Sequence, residues 1–187
     1  MKTGRWVVKL EENNGGELNY RARNETKFII IHAIAEYIDT GEPGKTPQYC
    51  VDFLRERNEL PHYFLTPSGI VLKGIPHNLM ANHARGFNYC SVGIEVMLPG
   101  CHSYASFVKA MGDKNEHIPA ISYPFLRLEG LIKELLEIYP NAKIVGHNEL
   151  SPDRKVDPGY LIDVDILRER FGQTKPTIRE LQAGELP

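Results

Sequence analysis

The sequence predicts an α/β domain in which helices flank a central mixed β-sheet, and three segments support this prediction. Residues 27–32 (Lys-Phe-Ile-Ile-Ile-His) form a continuous β-branched and aromatic run, which is typical of a strand buried on both faces. Residues 62–73 place two short apolar runs around Thr-Pro-Ser-Gly, which indicates a hairpin. Residues 122–139 repeat apolar side chains at spacings of three and four before Pro140, which predicts an amphipathic helix packed on the sheet.

The other predicted elements are shorter and complete this fold. The pair Thr46-Pro47 is typical of an N-cap followed by a first-turn proline, and the helix that it starts ends before Pro61. Further predicted elements are an edge strand over residues 4–12, strands over 91–98 and 142–147, and a last helix over 163–171. Residues 99–121 show no sustained period and are expected to form a long loop with no more than a short helical turn. Loops of this length often cover a site.

The length and composition fit a single domain. The chain has 187 residues, of which 42% are hydrophobic and 25% charged, and no repeat divides residues 1–172. The polar residues 173–187 are expected to form a loosely held tail. The net charge is −2, from 22 Lys and Arg against 24 Asp and Glu, which argues against nucleic acid or an anionic membrane as the partner.

Two further features bear on location and redox state. The basic residues 1–5 are followed by an apolar run of only three residues, Trp6-Val7-Val8. A signal peptide needs an apolar region of about 7–15 residues. No stretch approaches the roughly 20 apolar residues of a membrane span, so we expect synthesis in the cytoplasm and no membrane insertion. The chain has three cysteines, Cys50, Cys90 and Cys101. This odd number and the lack of C-x-x-C spacing favour reduced thiols.

Three side chains have the chemistry of a metal site. His32 and His147 end two predicted strands, and Asp157 follows ten residues after His147 in a loop rich in Pro and Asp. Two imidazoles and one carboxylate leave a fourth tetrahedral position for water, which is the arrangement of catalytic zinc. The alternative is that each histidine is a hydrogen-bonded structural residue at a strand end.

Four strings of residues together resemble one known family. They are Ile-Ile-Ile-His at 29–32, Pro-His-Tyr-Phe-Leu with Ser-Gly-Ile-Val within 61–71, Asn-His-Ala-Arg-Gly-Phe-Asn with Ser-Val-Gly-Ile-Glu within 82–95, and Ile-Val-Gly-His with Arg-Lys-Val-Asp-Pro-Gly within 144–159. In this order they resemble the zinc-dependent N-acetylmuramoyl-L-alanine amidases of type 2, over residues 19–171. That family includes phage lysozyme-type amidases, bacterial recycling amidases and peptidoglycan recognition proteins. The resemblance implies their α/β fold and hydrolysis of the amide between N-acetylmuramic acid and the L-alanine of the stem peptide.

The resemblance also implies roles for individual residues. It makes His32, His147 and Asp157 the ligands of one zinc ion, with no organic cofactor. Glu95 matches the family's acidic position and is expected to act as general base and then acid. Lys155 matches a lysine beside the last ligand and is expected to stabilise the oxyanion. The alternatives are a buried strand Glu95 paired with a basic residue and a solvated loop Lys155.

The substrate groove is expected to involve residues of the third string. By resemblance these are His83, Ala84, Arg85 and Asn88. Some phage members carry a catalytic tyrosine at the position of Pro61, so its absence here favours Glu95 as the base. The next candidates are Tyr63 and a histidine of the loop over residues 99–121. His62 matches a family histidine that does not bind the metal and is expected to support the sheet.

Several functional alternatives stay open at this stage. The family contains peptidoglycan-binding modules without catalysis, but these typically lose a metal ligand, and all three positions are competent here. A further alternative is a second role as an inhibitor of a host protein. An endolysin released by a holin, a recycling amidase and an exported toxin would all lack a signal peptide. The partner is expected to be peptidoglycan or a muropeptide, and the protein is expected to be a monomer.

Overall fold

Six strands form one mixed sheet in the computed structural model, which describes residues 7–9, 26–34, 45–97, 104–115, 119 and 122–182. The strands are β1 (Val7–Lys9), β2 (Phe28–Ile34), β3 (Tyr63–Leu65), β4 (Val71–Lys73), β5 (Ser91–Met97) and β6 (Lys143–Gly146). Their order across the sheet is β1-β4-β3-β5-β2-β6. The β3–β4 hairpin is antiparallel and the other neighbours are parallel, so the predicted mixed sheet is confirmed, with β1 at an edge.

Helices cover both faces of this sheet. They are α1 (Lys45–Glu56), α2 (Tyr104–Gly112), α3 (Tyr123–Ile138), α4 (His147–Leu150), α5 (Val164–Arg170) and α6 (Ile178–Gln182). The longest helix, α3, starts where the hydroxyl of Ser122 accepts a hydrogen bond from the amide of Phe125, and it ends before Pro140. No described helix is long and apolar enough to cross a membrane.

Strand β2 shows how the sheet separates its faces. All seven residues of β2 are buried, as the continuous apolar run predicted. Ile29, Ile31 and Ala33 point into the largest apolar cluster, which includes the inner side of α3. On the opposite face, Phe28 and Ile30 pack against residues 84–90, whereas Ile34 packs against α1. His32 lies between these two smaller clusters, where the apolar packing is interrupted.

The region 99–121 contains more helix than the sequence suggested. Residues 104–112 form α2, in which Phe107 and Met111 are buried in the largest cluster. These two side chains lie four residues apart on one face of the helix, and this short apolar stripe was obscured by the Gly, His and Asp residues around it. The expectation of a long loop with a short helical turn was therefore wrong for residues 104–112.

Two residues of the predicted tail, which stays a prediction, contact the rest of the domain. The side-chain amide of Gln173 donates to the carbonyl oxygen of Ala142 (2.9 Å) and accepts from the amide of Ile144 (3.0 Å), which joins the segment to β6. Farther along, Leu181 in α6 packs against the cluster around Phe28. Gln173 and Leu181 thus contact the domain, and residues 183–187 lie outside the described part of the chain.

Candidate metal centre and active-site groove

Three elements bring the candidate ligands together. His32 is the fifth residue of β2, and His147 is the first residue of α4, directly after β6. Because β2 and β6 are adjacent and parallel, the two histidines reach the same end of the sheet. Asp157 comes from the loop after α4, where its carbonyl oxygen accepts a hydrogen bond from the amide of Asn148 (2.7 Å).

The three side chains converge on one point. The Nδ1 atoms of His32 and His147 are 2.9 Å apart, and Oδ2 of Asp157 lies 3.3 Å and 3.1 Å from them. All three residues are buried, with exposed fractions of 2%, 3% and 6% in chain order. We call this group the trio.

The trio fits a zinc ion in both spacing and charge. Ligand atoms about 2.0–2.2 Å from a tetrahedral metal are about 3.3–3.6 Å apart. The three separations observed here, 2.9 to 3.3 Å, would need to widen by only a few tenths of an ångström to match this range. Burial and the neighbouring His147 lower the pKa of His32 to about 4, so its imidazole is neutral at neutral pH. Burial alone would raise the pKa of Asp157, but its interactions with the neighbouring side chains of His147 and His32 outweigh burial and lower that pKa. Two imidazoles, of which that of His32 is neutral, and a carboxylate therefore face one another, which is the donor set of a divalent metal.

Glu95 lies beside the trio on the next strand. It pairs in register with His32 across the β2–β5 ladder, so both side chains point to the same face, and its other neighbour is Phe64. Only 8% of Glu95 is exposed. Burial and then the charge of Asp157 raise the pKa of Glu95 well above its ordinary value, whereas Lys155 lowers it. The arrangement provides a carboxyl group that can hold a proton near the trio.

A groove of about 590 Å³ opens over the trio and Glu95. Lys155 lines it and is half-buried, so the sequence-predicted metal and catalytic residues meet in one place. Sequence reasoning missed the wall formed by the end of α1, where the guanidinium of Arg57 stacks on the ring of Phe53, 3.4 Å from its centroid. Their spacing of four residues across the end of a predicted helix is the signal that could have found this pair.

The predicted substrate residues occupy different settings along the groove. Arg85 is exposed at its wall, whereas the side chain of Ala84 is buried. The side-chain oxygen of Asn88 accepts hydrogen bonds from the amides of His83 (3.0 Å) and Ala84 (2.7 Å), which fixes this turn. His83 points inward, and its Nδ1 lies 2.9 Å from Nε2 of His32.

Two residues near the site belong to the sheet. Nδ1 of His62 accepts a hydrogen bond from the amide of Gly93, and its Nε2 donates to the carbonyl oxygen of Leu79, both at 3.0 Å. Tyr63 points to the opposite face, into the largest apolar cluster, and burial raises its pKa to about 12. As the next candidate for the base after Glu95, Tyr63 is therefore wrong, because the sheet separates it from the trio.

Taken together, the mixed sheet, the open groove and the trio define an α/β protein with a candidate divalent-metal site. The chain belongs to the N-acetylmuramoyl-L-alanine amidase family, whose sequence profile matches residues 22–160. This membership confirms the family and the amidase activity that the sequence predicted.

Individual relatives agree with this assignment. The chain is 24% identical to the 1,6-anhydro-N-acetylmuramyl-L-alanine amidase AmpD of Haemophilus influenzae, over 74% of this chain and 79% of that protein. The N-acetylmuramoyl-L-alanine amidase LysC from Clostridium intestinale URNW has the same fold, with a TM-score of 0.67 at 17% identity over 90% of this chain and 98% of that one. A point mutant of Drosophila PGRP-LB in complex with tracheal cytotoxin gives a TM-score of 0.63 at 17% identity over 90% of this chain and 96% of that one.

Proposed function

We propose that the groove hydrolyses the amide bond between N-acetylmuramic acid and the L-alanine of the peptidoglycan stem peptide, with one zinc ion held by His32, His147 and Asp157. The observation that carries this proposal is the convergence of the three ligand atoms in a buried corner of an open groove. A bound zinc ion polarises the scissile carbonyl and lowers the pKa of a water molecule.

Glu95 is the proposed general base and acid. Its position in register with His32 supports this role, because both side chains point to the face of the sheet that carries the trio. In the ionised form it takes a proton from the attacking water and then passes that proton to the leaving nitrogen of L-alanine. Its raised pKa favours the protonated carboxyl group, which is the form that donates the proton to the leaving nitrogen.

Lys155 is the proposed stabiliser of the negative charge on the carbonyl oxygen. It lines the groove two residues before Asp157, and its positive charge already acts on Glu95 in the free protein. An ammonium group placed where charge develops lowers the energy of the transition state more than that of the bound substrate. Arg85, exposed at the groove wall, is the proposed contact for a carboxylate of the stem peptide.

The test is a comparison of two substrates. Purified protein is incubated with intact sacculi and, separately, with soluble 1,6-anhydro-muropeptides, and the products are analysed by mass spectrometry. We expect stem peptides with a free L-alanine amine, formed only with zinc present and lost after chelation. Binding without release of peptide would contradict the proposal and support a recognition module.

The same comparison bears on where the protein acts. The name of the Haemophilus influenzae relative refers to 1,6-anhydro substrates, which makes these the first candidates for a role in recycling. A preference for sacculi would instead support a lytic enzyme that reaches the cell wall after release through a holin. We also infer that the protein works as a monomer, because one chain supplies both the trio and the groove.

A further inference from the structure

A line of hydrogen bonds leads from the trio into the sheet. Nε2 of His32, on the far side of the ring from the trio, lies 2.9 Å from Nδ1 of His83. Nε2 of His83 lies 3.2 Å from the hydroxyl oxygen of Ser91, which in turn donates to the carbonyl oxygen of Phe87 (2.7 Å). His32 is thus connected through two side chains to the backbone.

The last member of this line fixes the direction of every hydrogen bond in it. The carbonyl oxygen of Phe87 can only accept, so the single proton of the Ser91 hydroxyl is used there. The hydroxyl oxygen then accepts from Nε2–H of His83, which leaves Nδ1 of His83 as an acceptor for Nε2–H of His32. As a result, the lone pair of His32 is on Nδ1, the atom that faces His147 and Asp157.

We infer that His83 is a positioning residue, which holds the His32 imidazole in the tautomer and orientation that a metal requires. This inference rests on the proposed zinc site, and it gives His83 a part different from the substrate contact expected from the sequence. Removal of a residue that hydrogen-bonds to a metal ligand and so orients it typically lowers metal affinity about 10- to 100-fold.

The chain makes specific room for His83. Gly93 lies in β5 among Val92, Ile94 and other bulky residues, and a Cβ at this position would overlap the His83 ring at Nδ1. A glycine inside a strand often marks the close approach of another group, and here that group is the atom that accepts from His32. The ring of His62 packs edge-on against His83, with the centroids 5.3 Å apart, which limits its rotation.

The two imidazoles of the trio are supported differently. Nε2 of His32 has His83 as its partner, whereas Nε2 of His147 is buried without a hydrogen-bond partner among the described residues. Removal of His83 should therefore affect zinc binding through His32 and not through His147.

Zinc affinity tests this inference directly. We expect His83→Ala to weaken zinc binding about 10- to 100-fold in competition with a chromophoric chelator. His83→Asn should recover part of this loss, because its side-chain oxygen can accept near the position of Nδ1. The control is Arg85→Ala, in the same turn, which should leave zinc affinity unchanged. Unchanged zinc affinity in His83→Ala, with a raised KM, would overturn the inference and restore the substrate contact.

A measurement on the wild-type protein avoids the risk that a variant fails to fold. Long-range ¹H–¹⁵N spectra of the zinc-loaded protein report the tautomer of each neutral histidine. We expect His83 with its proton on Nε2, and the opposite tautomer would overturn the inference. If the wild-type protein binds zinc and cleaves the muramoyl amide while either result goes against His83, only the positioning role is lost. If the wild-type protein binds no zinc, the proposed function itself is lost.

Discussion

Helix α4 connects two polar clusters, each with at least one buried ionisable side chain, and the two clusters differ in how that side chain is paired. His147, at its start, belongs to the trio, whereas Glu149 accepts two hydrogen bonds from Arg168, at 2.9 and 3.0 Å. We call the second group, Arg168 with Glu149 and Asp165, the Arg168 cluster. In the Arg168 cluster the chain supplies both anion and cation. In the trio it supplies a carboxylate and two imidazoles, a donor set that would hold a divalent cation taken from solution.

This difference separates stability from function. Arg168 is only 2% exposed and also donates to the carbonyl oxygen of Ile144 in β6, so the Arg168 cluster fastens α5 to the sheet. The trio itself contains no Lys or Arg and lines the groove together with Lys155, which suits metal binding and chemistry. Substitutions in the two places should therefore have different effects, and each prediction below tests that separation.

Asp157→Ala should have the largest effect. We expect the wild-type protein to hold about one zinc per chain and the variant to hold far less, with activity reduced to background, because two imidazoles alone leave the site under-coordinated. Elemental analysis and the muropeptide assay measure both. Asp153→Ala, an exposed carboxylate of the same loop, is the control. Full zinc retention with normal activity in Asp157→Ala would remove this residue from the ligand set.

Glu95→Gln should lower turnover by about 10²- to 10⁴-fold while zinc content and thermal stability stay unchanged. The amide keeps the shape of the carboxyl group but cannot transfer a proton. Glu59→Gln, an exposed carboxylate at the same groove, should keep wild-type turnover. Near-native turnover of Glu95→Gln would show that another group is the base.

Arg168→Met should destabilise the fold by about 3–5 kcal/mol, because it leaves the partly buried Glu149 without its main cation. Urea denaturation measures this free energy of unfolding. The control is Arg170→Met, which removes an ion pair of 2.8 Å with Glu129 nearer the surface and should cost at most about 1 kcal/mol. Equal losses in the two variants would contradict the distinction between the clusters.

Lys155→Ala should lower turnover by about 10²- to 10³-fold and leave KM and zinc content nearly unchanged, as expected for a group that acts in the transition state. Arg154→Ala, its exposed neighbour in the groove, is the control. A raised KM with unchanged turnover in Lys155→Ala would instead indicate that this lysine anchors the substrate.

The smallest expected effect is a pH dependence of stability from Glu149. Burial alone would raise its pKa, but hydrogen bonds from Arg168 and the amide of Gly146 outweigh this and lower it below 4.5. A carboxylate whose pKa is lowered by folding stabilises the protein fully above its unfolded pKa and loses that contribution as the pH falls below about 4.5. The free energy of unfolding is measured by urea denaturation between pH 3 and 6. We expect Glu149→Gln to reduce its decrease at low pH, and Glu137→Gln, exposed on α3, to leave that decrease unchanged. An equally steep decrease in Glu149→Gln would show that other carboxylates cause the loss of stability at low pH.

The sequence predicted the parts of this molecule that depend on local patterns. The β-branched run of β2, the turn of the β3–β4 hairpin and the apolar period of α3 each lie within one segment, so their structure could be inferred without long-range information. The trio was inferred because its residues stand in strings that resemble one family. Helix α2 was missed because its stripe is only two buried residues long.

Long-range side-chain contacts could not be predicted in the same way. His83 and His32 are 51 positions apart. The sequence predicts that His83 lies in a turn, but it does not show which side chain His83 contacts. Arg168 and Glu149 are 19 positions apart and look like ordinary surface charges in the sequence. Only the packing of α5 and the 82–88 turn onto the sheet brings these partners together.

Helix α2 is fastened to the loop that supplies Lys155 and Asp157. The amide of Tyr160 donates to the carbonyl oxygen of Met111 (2.9 Å), and a Cβ on Gly159, where φ is +53°, would overlap that same oxygen. The loop can therefore approach the helix this closely only with glycine at this position. In protein engineering, a shortened variant that lacks residues 104–112 would lose the helix that contacts the loop carrying Lys155 and Asp157.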